Sequence, residues 1–314
     1  MKWKVLISAP YMQPVIDRLR PFFMERDIDL CIPVVHERLE ENELIPLIGD
    51  IDGVICGDDR FTERVLNSAP RLKVISKWGT GIDSIDQQSC KRLGIVVRNT
   101  PNAFTDPVAD SVLGYLLCFA RQLPWMDQAM HSGIWQKIPG VALNECTLGV
   151  IGVGNIGRAV INRALGFGMH ILGNDTQEIP QDFIDQTGIA MVSKEELLRR
   201  ADFISLNCTL NPTSYHILDE AAFDLMKPTS VVINLARGSL IKESALVVAL
   251  QKQCIAGAAL DVFEVEPLPT ESPLQHMQNV LLAPHNSNSS PEAWEKVHLN
   301  SVRNLLDVLE MEKE

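Results

Sequence analysis

Three polar side chains in the second half of the chain are placed where they could do acid–base chemistry. Arg237 and His285 each directly follow an apolar run, at 231–236 and 280–284, and Glu266 lies a few residues beyond a third such run. A histidine with a carboxylate partner is an effective acid or base near neutral pH, and an arginine can bind a carboxylate through two parallel hydrogen bonds. Position alone also allows a structural interpretation, in which the arginine forms an ion pair, the glutamate caps a turn and the histidine belongs to the core.

A glycine-rich turn indicates a dinucleotide site. The apolar run 147–151 predicts a buried strand, and Gly152, Gly154 and Gly157 follow it in the spacing Gly-x-Gly-x-x-Gly. In such a turn the first glycine permits the tight bend, the second lets a pyrophosphate approach the backbone, and the third lets the helix pack on the strand. The helix that begins there directs N–H groups and the positive end of its dipole towards the phosphates.

An acidic residue at the end of the next predicted strand supports this interpretation. Asp175 lies 18 residues after Gly157, close to the roughly 20 expected for a carboxylate that binds the ribose 2′-hydroxyl. The same carboxylate would repel the 2′-phosphate of NADP, so the sequence predicts NAD. A nicotinamide would supply the hydride for reduction of a 2-oxo acid, while Arg237 and His285 would supply an anion anchor and a proton. The alternative is a turn that only packs a strand on a helix.

The elements around these residues predict an α/β fold with two parallel sheets. Short apolar runs alternate with helical patterns, which is typical of a parallel sheet covered on both faces. In the second half the predicted strands are 147–151, 169–174, 202–206, 231–235, 256–260 and 280–283, and the helices are 155–167, 194–200, 219–226 and 243–251. In the first part the predicted strands are 5–7, 30–35, 52–56, 72–76 and 95–98. The fold class is two doubly wound parallel-sheet domains, a Rossmann cofactor domain inserted in a flavodoxin-like substrate domain.

The expected domain boundaries fall near residues 100 and 286. Residues 101–286 would form the NAD-binding domain, and residues 1–100 with 287–314 the substrate-binding domain. The pattern 108–122 predicts a long, nearly all-apolar helix, which would be buried between domains or in a subunit interface. A last amphipathic helix is predicted over 292–309.

The composition excludes several classes of protein. The 314 residues carry a net charge of −12. A protein that binds the negatively charged backbone of a nucleic acid needs a positively charged surface. The seven cysteines are scattered, show no zinc-site spacing and suit a reduced intracellular chain. The first apolar run is interrupted at Pro10, and the longest apolar helix, 112–120, is too short for a membrane span. The sequence therefore predicts a cytoplasmic protein with no metal and no nucleic-acid or membrane partner.

The amino-acid sequences of these segments closely resemble those of the D-isomer-specific 2-hydroxyacid dehydrogenase family. The resemblance covers nearly the whole chain, with its motifs in the family's order. The segments that carry it are the glycine turn with Asp175, then 234–238, 257–267 and 283–285, preceded by 77–83 and 98–110.

The resemblance implies a role for each matching residue. Arg237 would bind the substrate carboxylate and carbonyl, His285 would be the acid/base, and Glu266 would tune the histidine. Asp261 would hold the nicotinamide carboxamide. The substrate loop would comprise Lys77, Trp78, Gly79, Thr80 and Gly81, with backbone N–H groups meeting the carboxylate. The other positions that would line the dinucleotide site are Gly152, Gly154, Asn155, Ile156, Gly157, Asp175, Cys208, Leu235 and Ala236.

The sequence is compatible with two types of substrate within this family. Segments 119–124 and 133–135 are similar to the 3-phosphoglycerate branch, and Lys77 stands where a phosphate-binding cation often lies. However, Asp58 and Asp59 would oppose a phosphate, and the polar segment 286–290 after the histidine is unusual, so a glyoxylate or hydroxypyruvate type is the other possibility.

The resemblance also implies a homodimer. The helix 108–120 and the arm 125–135 would pack against the same elements of a second copy, since two-fold assemblies are the commonest. A different functional class is an NAD-sensing, non-catalytic scaffold of the same fold, which would retain the same three polar residues.

Overall fold

The chain divides into two compact units. The computed structural model describes residues 2–312. One unit comprises the chain up to Phe104 together with the segment from Ser290 onward, and the other comprises Thr105–Ser289. Each unit has its own buried apolar core.

The first unit is built on a five-stranded parallel sheet in the order β2-β1-β3-β4-β5. Its strands are β1 (Trp3–Ile7), β2 (Ile28–Cys31), β3 (Gly53–Cys56), β4 (Val74–Lys77) and β5 (Val96–Arg98), and its helices include α1 (Ile16–Met24), α2 (Glu41–Ile48), α3 (Glu63–Asn67) and α4 (Gln87–Leu93). Every residue of β3 and β4 is buried, as expected for a sheet covered on both faces. The predicted strand 30–35 is wrong in its position: β2 ends before Pro33, because proline has no N–H to donate to the ladder.

The second unit contains a seven-stranded parallel sheet in the order β12-β11-β10-β9-β6-β7-β8. Its strands are β6 (Thr147–Ile151), β7 (His170–Asn174), β8 (Ala190–Met191), β9 (Phe203–Leu206), β10 (Val231–Asn234), β11 (Gly257–Leu260) and β12 (Val280–Leu282). The six predicted strands are present, and the seventh, β8, is too short to produce a sequence pattern. The strand order reverses at β6, so the glycine turn lies at the switch point where doubly wound sheets bind ligands.

The helices of this unit are α5 (Thr105–Arg121), α6 (Leu123–His131), α7 (Asn155–Gly166), α8 (Gln181–Thr187), α9 (Lys194–Arg200), α10 (Glu220–Leu225) and α11 (Glu243–Gln251). Within one copy, α5 packs one face against α7, while Asp110 and Gly114 are exposed. Burial of its other side in a subunit interface stays a prediction. Gln122, in the left-handed region with φ of 56°, separates α5 from α6. The sequence pattern did not reveal α8.

The last helix, α12 (Pro291–Met311), belongs to the first unit. It packs against β3 and β4, and the Ser76 hydroxyl donates to the carbonyl of Ser301 at 2.8 Å. Ser290 accepts from the N–H of Ala293 and so caps the first turn. Among the described residues, no helix combines the length and apolar character needed to cross a membrane.

Candidate active site

The loops after β11 and β12 bring Glu266 and His285 together. His285 Nδ1 lies 3.0 Å from Glu266 Oε2, and both side chains are largely buried. The N–H of His285 donates to the carbonyl of Asp261 at 2.8 Å. The backbone of His285 has a φ of 52°, a left-handed conformation that histidine adopts more readily than most residues with a Cβ. This turn sets the direction in which the imidazole leaves the backbone.

The two carboxylate oxygens of Glu266 have different partners. Oε1 accepts the N–H of Phe263 at 2.9 Å, while Oε2 faces His285. An ionised glutamate only accepts hydrogen bonds, so Nδ1 of His285 carries the proton in this contact. Nε2 is then the ring nitrogen that is not engaged by Glu266.

Asp261 ties the segment after His285 to the end of β11. This fully buried carboxylate accepts the N–H of Asn286 at 2.7 Å through Oδ1 and that of Ser287 at 2.8 Å through Oδ2. The sequence suggested only a nicotinamide contact for Asp261. Its structural contacts hold the loop that carries His285, and a sequence pattern could not reveal them because they join residues 25 and 26 positions apart.

Arg237 follows β10, the strand beside β11. Its carbonyl accepts from the Asn234 amide at 2.8 Å, and its Nη1 donates to the carbonyl of Ala236 at 2.9 Å. A Cβ on Gly238 would lie 1.9 Å from the carbonyl of Phe263, so only glycine allows the turn after Arg237 to lie against the segment that leads to Glu266. The carboxyl ends of β10, β11 and β12 therefore place all three predicted catalytic residues on one edge of the sheet.

The three glycines of the turn after β6 meet different surroundings. A Cβ on Gly152 would lie 2.5 Å from the backbone nitrogen of Cys208, and one on Gly157 would lie 2.0 Å from the carbonyl oxygen of Gly152. Gly154, in contrast, faces open space. Two glycines are thus required by packing within the protein, and the third leaves room for a ligand to approach the backbone.

The start of α7 and Asp175 complete a cradle for a dinucleotide. No side chain caps α7, whose first turn contains Asn155, Ile156 and Gly157. Asp175 Oδ2 accepts the N–H of Val153 at 2.6 Å, which holds the carboxylate beside the glycine turn. Because each carboxylate oxygen can accept more than one hydrogen bond, Asp175 can also bind a ribose diol. The residues present therefore fit NAD, and Leu235 and Ala236 lie at the end of β10 on the same sheet edge.

The predicted substrate loop begins at the end of β4 in the first unit. Gly79 has a φ of 134°, and its carbonyl accepts the N–H of Thr100 at 2.9 Å. The Thr80 hydroxyl donates to the carbonyl of Thr100 at 3.1 Å. Lys77 is only 3% exposed, and its ammonium group lies 2.9 Å from Asp58 Oδ1. The charge of Lys77 is therefore paired within the protein.

Trp78 lies in a cluster of aromatic rings in the first unit. Its ring contacts those of Tyr11, Phe104, Trp294 and His298. Its indole N–H donates to Nδ1 of His298 at 3.0 Å. Burial lowers the pKa of His298, which favours the neutral ring that this hydrogen bond requires. No local sequence pattern could reveal this contact, because it joins residues 220 positions apart.

The fold and the site together define a class of protein. A parallel sheet with a glycine turn at its switch point, an acid after the next strand and a histidine–glutamate pair at the same edge are typical of a nicotinamide-dependent oxidoreductase. Residues 113–287 match the family model described as D-isomer specific 2-hydroxyacid dehydrogenase, NAD binding domain. The chain belongs to this family.

Relatives of known name agree with this assignment. The chain is 35% identical over 317 residues to a glyoxylate reductase of Thermococcus onnurineus, which covers 98% of this chain and 92% of that protein. It is 40% identical over 259 residues to a D-3-phosphoglycerate dehydrogenase of Methanocaldococcus jannaschii, which covers 81% of this chain. The match spans only 49% of that dehydrogenase, about half its length.

A solved structure shows the same fold. The D-lactate dehydrogenase of Aquifex aeolicus, determined with NAD and lactic acid, superposes with a TM-score of 0.88 at 26% identity and covers 98% of this chain and 95% of that one. The family match, these relatives and the site support an enzyme rather than a non-catalytic scaffold, and NAD is the cofactor of its second unit.

Proposed function

We propose that the chain interconverts a small, unphosphorylated 2-oxo acid and the corresponding D-2-hydroxy acid with NADH and NAD. The observation that carries this proposal is the pair formed by His285 and Glu266, in which one oxygen of Glu266 is fixed by the N–H of Phe263. The second carboxylate oxygen thereby holds the imidazole in one tautomer, which suits proton exchange through Nε2.

Each residue then has one task in the reduction. Arg237 binds the substrate carboxylate and polarises the carbonyl through its guanidinium group. His285 donates the proton from Nε2 to the carbonyl oxygen, and Glu266 stabilises the imidazolium before that transfer. When bound, the nicotinamide supplies the hydride for the carbonyl carbon. In the oxidation direction His285 removes the hydroxyl proton.

We assign the two units different ligands. The second unit binds NAD through the glycine turn, the first turn of α7 and Asp175, with Cys208, Leu235, Ala236 and Asp261 completing the site. The first unit contributes to substrate binding through the backbone of Gly79–Gly81, whose N–H groups receive the substrate carboxylate.

The choice of an unphosphorylated substrate rests on Lys77. Its ammonium group is the cation nearest to the substrate loop in the sequence, and it is already paired with Asp58. A substrate phosphate would have to compete with this carboxylate and approach its negative charge. The glyoxylate reductase of T. onnurineus, whose match spans nearly the whole chain, supports the same choice.

We also propose a cytoplasmic homodimer. The seven cysteines are all free thiols, as expected in a reducing compartment. Apolar side chains are exposed on α6 and the arm that follows it, namely Leu123, Met130, Ile134 and Trp135. The same segment of a second copy would cover this face.

A turnover assay tests the proposed reaction. NADH oxidation is followed with glyoxylate, hydroxypyruvate, pyruvate, larger 2-oxo acids and 3-phosphohydroxypyruvate. We expect turnover with one or more of the unphosphorylated acids and, wherever the product is chiral, formation of the D-isomer. Absence of turnover across the panel would contradict the enzymatic function, and a preference for the phosphorylated acid would contradict the substrate class.

A further inference from the structure

His216 lies in the loop between β9 and α10, outside the residues assigned above to binding or chemistry. Its N–H donates to the carbonyl of Ser239 at 2.9 Å. Ser239 belongs to the short 3₁₀ turn Gly238–Leu240 that directly follows Arg237. The N–H of Leu218 in turn donates to the carbonyl of Leu240 at 3.1 Å. The backbone of the His216 loop is therefore paired with the turn that positions Arg237.

The side chain of His216 reaches a different catalytic segment. Its Nε2 is hydrogen-bonded to Oε1 of Glu264, a residue two positions before Glu266. The other oxygen of Glu264 accepts the N–H of Glu243 at 3.3 Å, at the first turn of α11. His216 thus contacts the segment after Arg237 through its backbone and the segment before Glu266 through its ring.

We propose that His216 is a positioning residue for the reaction, because it ties the turn after Arg237 to the segment that orients Glu266 against His285. This inference rests on the proposed function of those three residues. The ring of His216 is hydrogen-bonded to Glu264, so its proposed effect on Arg237, Glu266 and His285 is indirect.

The path from His216 to the acid/base is short. Glu264 follows Phe263, whose N–H fixes Oε1 of Glu266. A Cβ on Gly238 would clash with the backbone of Phe263 and Glu264, so this segment and the Arg237 turn lie in direct contact. A shift of Glu264 therefore displaces the donor that holds Glu266, and a displacement of about 1 Å at catalytic groups can cost on the order of 100-fold in rate.

The charges around His216 explain why the tie requires a donor at this position. Glu264 lies next to Glu243, and burial raises the pKa of Glu243. The other charged groups nearby are Glu220 and Lys242, which form an ion pair, and Asp219, while the ring of Tyr215 stacks on that of His216. Without the His216 donor, Oε1 of Glu264 would lose its hydrogen bond, and the carboxylate would be held through Oε2 by the longer contact with the N–H of Glu243, so the segment could shift.

The test compares His216→Ala with His216→Gln, which keeps an N–H donor on a side chain of similar length. His170→Ala is the matched control, because it removes an exposed histidine from the same unit. The first readout is the pH midpoint of the His285 titration, measured by NMR of the histidine ring protons. The His285 signal is identified as the one that is missing from the spectrum of His285→Gln. The others are kcat, KM for the 2-oxo acid and the dissociation constant of NADH.

We expect His216→Ala to move the His285 midpoint to lower pH, since a misplaced Glu266 stabilises the imidazolium less. It should also lower kcat roughly tenfold or more while the NADH dissociation constant stays unchanged. His216→Gln should recover most of both effects, and His170→Ala should leave both at the wild-type values.

An unchanged His285 midpoint in His216→Ala would overturn the inference, even if the variant were less stable. Equal defects in the Ala and Gln variants would also overturn it. The titration is independent of turnover, so it decides the role of His216 even if the substrate panel fails. An unchanged His285 midpoint in His216→Ala would contradict only the role of His216. A lack of turnover in the wild-type enzyme would contradict only the proposed reaction.

Discussion

At the scale of single residues, the proposed chemistry depends on a carboxylate whose two oxygens have different partners. Glu266 gives one oxygen to the backbone N–H of Phe263 and the other to His285. We expect His285→Ala to lower kcat for reduction by roughly 10²–10⁴-fold, the share that general acid catalysis supplies. NADH binding, measured by fluorescence titration, should stay close to that of the wild type. Near-normal turnover of the variant on the best substrate would show that the proton has another source.

The companion variant Glu266→Gln tests the pairing itself. Glutamine keeps an oxygen for the N–H of Phe263 but removes the charge that favours the protonated imidazole. Reduction requires that protonated form, so the alkaline limb of the kcat profile should move to lower pH, with a smaller loss of kcat than in His285→Ala. An alkaline limb at the wild-type pH would contradict the pairing.

Asp175 carries the prediction for the cofactor. Its carboxylate is held beside the glycine turn by the N–H of Val153, where it can bind a ribose diol and repel a 2′-phosphate. We expect kcat/KM for NADH to exceed that for NADPH by a wide margin in the wild-type enzyme. Asp175→Ala should weaken the binding of NADH and reduce the preference for NADH over NADPH. Comparable kcat/KM values for the two cofactors in the wild-type enzyme would overturn the prediction.

At the scale of elements, an ion pair joins the ends of β3 and β4 beside the proposed substrate loop. Asp58 after β3 pairs with Lys77 at the end of β4. In Asp58→Asn the ammonium loses its partner, so we expect KM for 3-phosphohydroxypyruvate to fall relative to KM for glyoxylate. The exposed Asp29→Asn on β2 makes the same change in net charge and should leave the ratio unaltered. An unchanged ratio in Asp58→Asn would remove Lys77 from the substrate site.

The sequence predicted elements well where a local pattern produces them. Six strands of the second sheet and the glycine turn follow from apolar runs and glycine spacing, which are local. The two-residue strand β8 is too short to show an apolar pattern. Strand β2 lies at Ile28–Cys31 and not at the predicted 30–35, because Pro33 interrupts the strand-like run. The sequence of helix α5 is nearly all apolar, yet one side of it is exposed in a single copy, and Asp106 and Asp110 form ion pairs with Arg163 of α7.

The site was predictable to a similar degree and for a similar reason. The motifs identify Arg237, Glu266 and His285, because each follows a strand of recognisable pattern. The hydrogen bonds of Asp261 to the loop after His285, and those of His216, join segments far apart in the chain. Only the folded sheet brings such segments together, so they leave no local signal.

At the scale of the whole molecule, one buried acid makes stability depend on pH. Asp59 is fully buried and accepts from the Ser8 hydroxyl and the Leu39 N–H, both at 2.6 Å. Burial raises its pKa from 3.8 to about 6, so the folded state holds a proton that the unfolded state releases between these values. The stabilisation is present below pH 3.8 and is lost as the pH rises through about 6.

Asp59→Asn should remove this dependence. Asparagine can accept from Leu39 and donate to Ser8 without carrying a charge, so the free energy of unfolding at pH 7 should increase, by at most about 3 kcal/mol for a shift of this size. Urea unfolding at pH 4 to 7 measures the change, with Asp29→Asn as the exposed control. A slope between pH 4 and 6 equal to that of the wild type would contradict the prediction.

The assembly is the last property at this scale. Trp135 is 87% exposed, which is unusual for an indole with no function at the surface, and α6 just before it also exposes the apolar side chains of Leu123 and Met130. A pocket of about 380 Å³ beside α6, lined in part by Phe119, Trp125 and Val141, adds a concave apolar surface.

Burial of this face in a two-fold dimer would remove the exposed apolar area from water, which is the main driving force for association. We therefore expect light scattering to give the mass of a dimer at micromolar concentration. Trp135→Ser should shift the equilibrium towards monomers, whereas Trp3→Phe, a change at a buried indole of the first unit, should leave the mass unchanged. A wild-type protein that stays monomeric at micromolar concentration would defeat the proposal, and a Trp135→Ser variant that dimerises as tightly as the wild type would place the interface on another face.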